Sequence, residues 1–305
     1  MDPVDVLTRL GGVATWRQLR QVVHWRRIGA ALDAGTIVRT ATGRYVLPTA
    51  DEARRAASRL TAVVSHTSAA AHWCWPVKAT PPLPHLTIRY KRRINSELSA
   101  VLHYRDLEPA EVVDGWVTSR ARTVVDCCLD LPFDEALAVV DSALRTGLRH
   151  REIRAITAPL PDRGRRRVLA VLTAGDARAA NPFESVLRSI ATSVPGLAAQ
   201  PHYRIRLTNG GRIRVDLGDE DLRIVLEADS FEFHAGRKGF DRDCRRYDRL
   251  VLDDWLVLRF TWEMVMFEPG LVTSMIRDAV SLQKARAQRR GRRTGTSLVR
   301  PAVLV

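Results

Sequence analysis

The chain has 305 residues, 46% of them hydrophobic, which is enough for two or three packed domains of the usual ~100 to 200 residues. No stretch approaches the ~18 consecutive apolar residues of a membrane span. The first residues, MDPVDVLTRLGG, lack the basic start and apolar run of a signal peptide. The four cysteines form no CxxC pair. We therefore expect a globular, cytoplasmic protein that has no membrane partner.

The chain is strongly basic, with 48 Lys and Arg residues against 34 Asp and Glu residues and a formal net charge of +14. Such a charge attracts polyanions, because neutralised phosphates release their condensed counterions. An arginine-rich composition is also what the codon bias of a GC-rich genome produces. Charge alone therefore leaves both explanations open.

Residues 1–50 are predicted to form three short helices followed by a hairpin. Asp2 and Pro3 start the first helix, and Thr15 with Gln18 forms a capping box for the second. The remaining predicted elements are a helix at His24–Asp33 and strands at Thr36–Thr40 and Arg44–Leu47. This order is typical of a winged-helix domain.

Residues 51–160 carry mixed signals and are predicted to form an α/β middle domain. The predicted elements are a long helical stretch from Asp51 to Ala71, strands at His85–Tyr90 and Ala100–Tyr104, and helices at Arg120–Leu129 and Phe133–Arg145. The segment Pro159–Arg167 combines prolines, a glycine and a run of charge, and therefore predicts a domain boundary.

Residues 175–288 are predicted to form a second α/β domain. The predicted helices are Pro182–Ser193, Phe240–Leu252 and Pro269–Gln288, and the predicted strands are Tyr203–Leu207, Ile213–Leu217, Arg223–Glu227 and Leu256–Phe260. Helix, three strands, helix, strand and helix is the order of an α/β sandwich. The predicted fold class is therefore α/β multidomain.

In a winged helix the third helix enters the major groove of DNA. Its exposed start carries Trp25, Arg26 and Arg27, and the wing offers Arg39, Thr42 and Arg44 to the phosphate backbone. The alternative is that these arginines form a solvated face and that the domain docks a protein.

The N-terminal half resembles a known family in three stretches. They are TWRQLRQVVHWRRIGAALDAGTIVRTATGRYVLP, SHTSAAAHW and SRARTVVDCCLDLPFDEALAVVDSALRTG. All three resemble the winged helix and the following domain of the abortive-infection type IV antitoxin family. The resemblance implies DNA binding and autorepression by the winged helix, and opposition to a cognate toxin protein by the middle domain.

Three carboxylates are expected to converge in the C-terminal half. Glu227 and Asp229 lie two apart at the end of an apolar strand, so both project to one face, and Asp216 can approach them across a hairpin. Like charges in a poorly solvated site repel one another, and a hard divalent cation relieves that repulsion. Asp216 and Glu227 are therefore candidate ligands of Mg²⁺ or Mn²⁺. The alternative is a solvated hairpin edge.

Two further residues complete the predicted catalytic set. His234 follows Asp229 closely and is a candidate general acid or base, although a lone histidine is often structural. Glu184 would join from the preceding helix. The alternative for Glu184 is half of a capping box behind Asn181 and Pro182.

From about Asn181 to Val265 the chain resembles the uncharacterised family related to the very short patch repair endonucleases, within the PD-(D/E)XK superfamily. The matching features are VD, E-x-D, a following His, DCRRYDRL and WxVLRFTW. The resemblance implies a restriction-endonuclease-like fold. It makes Asp216 and Glu227 metal ligands, Glu184 the helix acid, and Asp229 and His234 a polar pair, with a supporting polar helix formed by Asp243, Arg246 and Asp248.

One position departs from the superfamily pattern. The usual lysine, two residues after the second acid, is Asp229 here, so water activation would fall to His234 or to a second metal ion. The sequence therefore predicts a DNA-binding protein with a Mg²⁺-dependent endonuclease domain. The alternative is a non-enzymatic antitoxin and transcriptional autorepressor.

Overall fold

The structure is a computed structural model that describes residues 2–9, 12–49, 51–94, 99–229 and 237–295. The chain has an α/β fold and divides into two compact units, Met1–Ala179 and Ala180–Val305. Among the helices of the described residues, none has the length and apolar composition that are needed to cross a bilayer.

The first unit opens with three helices and a three-stranded antiparallel sheet of order β1-β3-β2. These elements are α1 (Pro3–Arg9), β1 (Val13–Thr15), α2 (Trp16–Val22), α3 (Trp25–Asp33), β2 (Val38–Ala41) and β3 (Arg44–Val46). The capping box that the sequence predicts at Thr15 and Gln18 is confirmed. Strand β1 was not predicted, because three residues are too short for a period-two pattern.

A mixed five-stranded sheet of order β6-β5-β4-β8-β7 follows, with helices against it. The elements are α4 (Glu52–Leu60), β4 (Val63–Val64), α5 (His66–His72), β5 (His85–Ile88), β6 (Val101–Tyr104), a 3₁₀ helix (Pro109–Glu111), β7 (Val112–Val113), β8 (Val117–Thr118), α6 (Arg120–Asp130), α7 (Phe133–Arg145), α8 (His150–Thr157) and α9 (Asp162–Ala174). The parallel pairs are β5 with β6 and β4 with β8.

The predicted single helical stretch from Asp51 to Ala71 is wrong. Helix α4 ends at Thr61, which has a left-handed backbone (φ 50°), and the β-branched pair Val63 and Val64 then forms strand β4 against β5. Burial of Val64 in the sheet therefore overrides the helical tendency of its neighbours.

The segment Pro159–Arg167, predicted as a boundary, joins two packed helices. Helix α9 begins at Asp162, and Val168, Val171 and Leu172 on it are buried against α6 and α7. Proline directly before a helix is compatible with continued packing. The two compact units instead meet at Ala179 and Ala180.

The second unit has a four-stranded sheet of order β14-β13-β12-β9 and a separate hairpin of β10 and β11. Its elements are α10 (Pro182–Thr192), β9 (Gln200–Pro201), β10 (Arg204–Arg206), β11 (Arg212–Arg214), β12 (Leu217–Asp219), β13 (Ile224–Asp229), α11 (Arg237–Leu252), β14 (Leu256–Thr261), α12 (Trp262–Phe267) and α13 (Pro269–Gly295). The predicted strand Ile213–Leu217 is two strands that belong to different sheets.

The central strand β13 is buried on both faces. Ile224 and Leu226 pack against α10, α12 and α13, whereas Val225 packs with the β10–β11 hairpin and with Leu250 of α11. Because side chains alternate along a strand, Glu227 lies on the same face as Val225. That face is the one covered by α11.

Candidate functional site

Asp216 and Glu227 come together through the register of two antiparallel strands. Leu217 of β12 pairs with Leu226 of β13, so the preceding residue on one strand lies opposite the following residue on the other. Asp216 Oδ2 accepts a hydrogen bond of 2.9 Å from the backbone N–H of Ala228. The hairpin approach expected from the sequence is therefore present.

The environment of Glu227 disfavours its charge. The residue is 5% exposed, and burial together with the charge of Asp216 raises its pKa to about 8, although Arg246 opposes the shift. A hydrogen bond with Asp216 adds to the shift, because it favours a proton held between the two groups. At neutral pH this acid pair holds a proton that a bound cation would displace.

Arg246 on α11 connects the acid pair to a basic surface. Its Nη2 donates to Glu227 Oε1 at 2.5 Å and to the backbone oxygen of Arg214 at 2.7 Å. It also lines an open pocket of about 330 Å³. The residues that line this basic pocket are Arg212, Ile213, Arg214, Arg245, Arg246 and Arg249. A strong positive field therefore lies beside a buried acid pair.

Asp229 has a cationic partner on the neighbouring strand. Arg259 of β14 is paired in register with Glu227, and its guanidinium forms an ion pair with the Asp229 carboxylate. The Arg259 guanidinium also lies 4.2 Å from the centre of the Tyr247 ring. A cation from the neighbouring strand therefore lies beside Asp229.

Glu184 lies in the first turn of helix α10, within electrostatic range of Asp216. Asn181 caps helix α10, because its Oδ1 accepts the Glu184 N–H at 3.1 Å, while Glu184 Oε2 accepts a hydrogen bond of 3.0 Å from the N–H of Ala180, one residue before the cap. Burial first, and the charge of Asp216 second, raise the pKa of Glu184. The helix cap therefore holds this acid within electrostatic range of the pair.

The remaining predicted residues of this site are less informative. His234 lies outside the described residues. On α11, Asp243 is half-buried and Asp248 is exposed. Within the predicted polar helix, Arg246 is the residue with a described contact to the acid pair. Tyr247 and Arg259 lie within the RRYDRL and WxVLRFTW motifs but were not predicted as site residues, because nothing in their sequence spacing marks a contact with the acids.

The predicted DNA-contacting residues of α3 are on the surface. Trp25, Arg26 and Arg27 are all exposed, and the Arg26 guanidinium lies 5.4 Å from the centre of the Trp25 ring. Ile28 is buried in the core of this small region, which fixes the orientation of the helix. The start of α3 therefore presents an aromatic ring and two cations together.

The hairpin residues differ from one another in exposure. Arg39 and Thr42 are exposed, but Arg44 is half-buried, and burial together with the charge of Arg92 lowers its pKa. The hairpin also packs onto α4, where Thr40 Oγ1 lies 2.5 Å from Ser58 Oγ. Arg39 and Thr42 are consequently better placed than Arg44 for an external contact.

Because burial and Asp216 raise the pKa of Glu227 to about 8 from its ordinary 4.5, we expect stability to fall as pH rises between these values. In this range the folded chain binds more protons than the unfolded chain. Each unit of pKa difference between the folded and unfolded chain corresponds to about 1.4 kcal/mol of unfolding free energy, and neighbouring charges reduce the total loss of stability. Urea unfolding in EDTA at pH 5 and pH 8 should show a larger loss for wild type than for Glu227→Gln. Equal losses would contradict a buried, protonated Glu227.

No protein-family model matches the chain. The resemblances to the antitoxin and endonuclease families remain predictions. Two relatives do match the chain, namely Uncharacterized protein MT2308 of Mycobacterium tuberculosis (strain CDC 1551 / Oshkosh) and Uncharacterized protein Rv2248 of strain ATCC 25618 / H37Rv. Each is 30% identical over 198 residues, covering 64% of this chain and 72% of the relative.

The chain therefore belongs to the family of these two mycobacterial proteins. Among solved structures, the crystal structure of RV2827C protein from Mycobacterium tuberculosis aligns with 61% of this chain and 78% of its own, at 12% identity and a TM-score of 0.33.

Proposed function

We propose that the protein binds duplex DNA and that its second unit hydrolyses phosphodiester bonds with Mg²⁺ or Mn²⁺. The observation that carries this proposal is that the Asp216–Glu227 pair lies beside the basic pocket. Arg246 links the two, because it lines the pocket and contacts Glu227. A nuclease needs a cation site and a phosphate site side by side.

The donor set of the acid pair fits a hard divalent cation. Two carboxylates on adjacent strands supply oxygen ligands, and burial first, with repulsion from Asp216 second, raises the pKa of Glu227. Asp216 and Glu227 would hold the ion, with Glu184 near enough to contribute charge. When bound, Mg²⁺ supplies charge stabilisation at the phosphoryl group and lowers the pKa of its water.

The arginines of the pocket would bind the DNA backbone. A planar guanidinium matches phosphate oxygens with two parallel hydrogen bonds. Arg246 contacts Glu227 when no substrate is bound, and a phosphate in the pocket would offer it a second anionic partner. Arg246 and Arg259 cannot act as bases, because guanidinium stays protonated. Proton transfer would therefore fall to His234.

The N-terminal elements support a winged-helix assignment. Three helices with a β1-β3-β2 sheet, and an exposed α3 start carrying Trp25, Arg26 and Arg27, match the layout that places a helix in the major groove. In this interpretation the turn at Thr42 and Gly43 is the wing.

We expect Arg26→Ala and Arg39→Ala to weaken DNA binding in different ways. Loss of a phosphate contact should reduce the slope of log affinity against log salt by about one, whereas loss of a base contact should change sequence preference. Fluorescence anisotropy with full-length protein at several salt concentrations measures both. Arg163→Ala, an exposed arginine on α9, is the control. Wild-type affinity that does not change with salt would contradict the prediction.

The nuclease proposal is tested with untagged full-length protein on single-stranded, duplex and mismatched DNA. Cleavage is expected with Mg²⁺ or Mn²⁺ and not with EDTA. Wild-type protein that cleaves none of these substrates with either metal would overturn the enzymatic proposal.

A second function is favoured by one observation. Glu227 and Asp229 each have an arginine partner, so a side-chain cation already faces each of these two acids. This arrangement suits a domain that has an endonuclease-like fold but does not catalyse hydrolysis. The chain would then act as a non-enzymatic antitoxin and autorepressor, with DNA and a toxin protein as partners. DNA binding without cleavage is the result that would support it.

A further inference from the structure

Three histidines that are far apart in sequence converge in the first unit. They are His66, the first residue of α5, His85 on β5 and His103 on β6. One ring nitrogen from each lies within 4.8 Å of the others. Within the part of the chain that the structure describes, no other group of three or more His, Cys, Asp or Glu side chains meets this criterion.

The sheet dictates this convergence. His103 pairs with Thr87 in the parallel β5–β6 ladder, so it lies on the same face as His85, which is two residues earlier on β5. Strand β4 runs antiparallel to β5, and the Ser65 N–H donates to the His85 backbone oxygen at 3.0 Å. His66, the residue after Ser65, is therefore brought close to His85.

The backbone of His66 is itself unusual. It has φ of 52°, in the left-handed region that favours glycine, and its side chain is completely buried. A bulky residue holds such a conformation only where the surroundings fix it, and strain of this kind is common at functional sites. This strained backbone places an imidazole ring at the cluster.

The rings of His85 and His103 share one proton between their facing nitrogens, and a bound metal ion would displace it. His85 Nδ1 lies 3.1 Å from His103 Nε2, and only one proton fits between two nitrogens at that distance. Asp130 Oδ2 lies 3.1 Å from His103 Nδ1, where it accepts that N–H and leaves Nε2 as a lone pair. A carboxylate that orients a histidine in this way is the usual second layer of a metal site.

The charge of Asp130 is balanced by an arginine. Its Oδ1 accepts from Arg105 Nη2 at 2.8 Å, and its Oδ2 also lies 2.9 Å from His66 Nε2. The Asp130 carboxylate therefore orients the imidazole rings of both His66 and His103.

We propose that His66, His85 and His103 bind a Zn²⁺ ion. Three imidazoles are a ligand set that Zn²⁺ prefers, whereas Mg²⁺ prefers oxygen. The 3.1 Å between His85 Nδ1 and His103 Nε2 is close to the ~3.3 Å that separates two ligands of a tetrahedral ion with Zn–N bonds of about 2.0 Å. His66 stacks on His103 with ring centres 3.5 Å apart, and its Nδ1 and Nε2 are hydrogen-bonded to Ser65 Oγ and Asp130 Oδ2. Binding would therefore require this ring to turn and one of the two hydrogen bonds to break.

A bound ion would link the edge strand of the five-stranded sheet to its neighbours. Strand β6 is the outermost strand, and it pairs with β5 alone. An ion held by β5, β6 and the start of α5 would join this edge to the helical layer, and would leave the fourth coordination position to water or to another ligand.

The experiment uses full-length protein expressed without a histidine tag and stripped with a chelator. Zn²⁺ alone is added and the bound metal is measured by mass spectrometry, together with the melting temperature. We expect one Zn²⁺ per chain and a higher melting temperature, because the ion binds the folded state. The His85→Gln and His103→Gln variants should each lose at least ~100-fold in affinity, more than the ~10 to 100-fold cost of losing a second-layer partner.

Two controls locate the ion. His72→Gln, a half-buried histidine on the same helix as His66, should bind Zn²⁺ as wild type does. Asp216→Asn should also keep its zinc, which separates this site from the acid pair of the proposed nuclease. Zinc retained by both His85→Gln and His103→Gln would overturn the assignment.

A Co²⁺ titration of the wild-type protein gives a readout that does not depend on the folding of any variant. The intense visible absorption of tetrahedral Co²⁺ is expected at one equivalent. Its absence, with no bound zinc, would overturn the proposal and leave the three histidines as a hydrogen-bonded part of the core.

Discussion

The full-length protein carrying Asp126→Ala is expected to lose about 3 to 5 kcal/mol of unfolding free energy, the usual cost of removing one partner of a buried ion pair. Asp126 is fully buried, and its Oδ1 accepts from Arg122 Nη2 at 2.6 Å and from Arg105 Nη1 at 3.0 Å. Arg122 is itself only 5% exposed. Without Asp126 its guanidinium would keep only Glu111, at 3.3 Å, as a described anionic partner.

Urea unfolding of wild type and variant measures this loss. The matched control is Asp162→Ala, which removes an exposed ion pair with Arg165 on α9, where the expected change is below ~1 kcal/mol. A loss for Asp126→Ala as small as that of the control would show that Arg122 finds other compensation.

Local signals in the sequence predicted much of the fold. The capping box at Thr15 and Gln18 and the N-cap at Asn181 mark where α2 and α10 begin, because both act within four residues. Strand β4 was missed, since Val63 and Val64 become a strand only by pairing with β5, more than twenty residues later. Short strands depend on partners that a local pattern cannot identify.

The candidate site was also predictable only where local sequence geometry determines it. Asp216 and Glu227 lie at the ends of two strands joined by a short turn, so their approach follows from hairpin geometry. Arg246 and Arg259 reach the acids from a helix and from a parallel strand, and no sequence spacing encodes those contacts. The three histidines cannot be recognised as a cluster from the sequence, because His85 follows His66 by 19 positions and His103 follows His85 by 18.

Loss of either acid of the pair is expected to eliminate metal-dependent DNA cleavage while the fold stays intact. In Asp216→Asn the amide oxygen can still accept the Ala228 N–H, so the hairpin keeps its hydrogen bond. In Glu227→Gln a buried group that resists ionisation is replaced by a neutral one of the same shape. Relief of carboxylate repulsion should leave the stability of the metal-free protein unchanged or higher.

Two further variants divide the roles within the site. His234→Ala should slow cleavage by ~10² to 10⁴-fold and leave metal binding unchanged, as expected for general acid or base catalysis. Glu184→Gln keeps an oxygen that can accept from the Ala180 N–H and removes only the charge. A slower cleavage rate would show that the charge of Glu184 contributes to the reaction. An unchanged rate would show that Glu184 serves only the start of the helix.

The measurements are cleavage rates with Mg²⁺ or Mn²⁺, melting temperatures without metal, and DNA affinity for each variant. Asp278→Asn, an exposed acid on α13, is the matched control and should cleave as wild type does. DNA binding through α3 should survive every change, because Arg26 and Asp216 belong to different compact units. If Asp216→Asn and Glu227→Gln cleaved DNA at the wild-type rate, the acid pair would not be the catalytic centre, since hydrolysis without these ligands requires the metal to be held elsewhere.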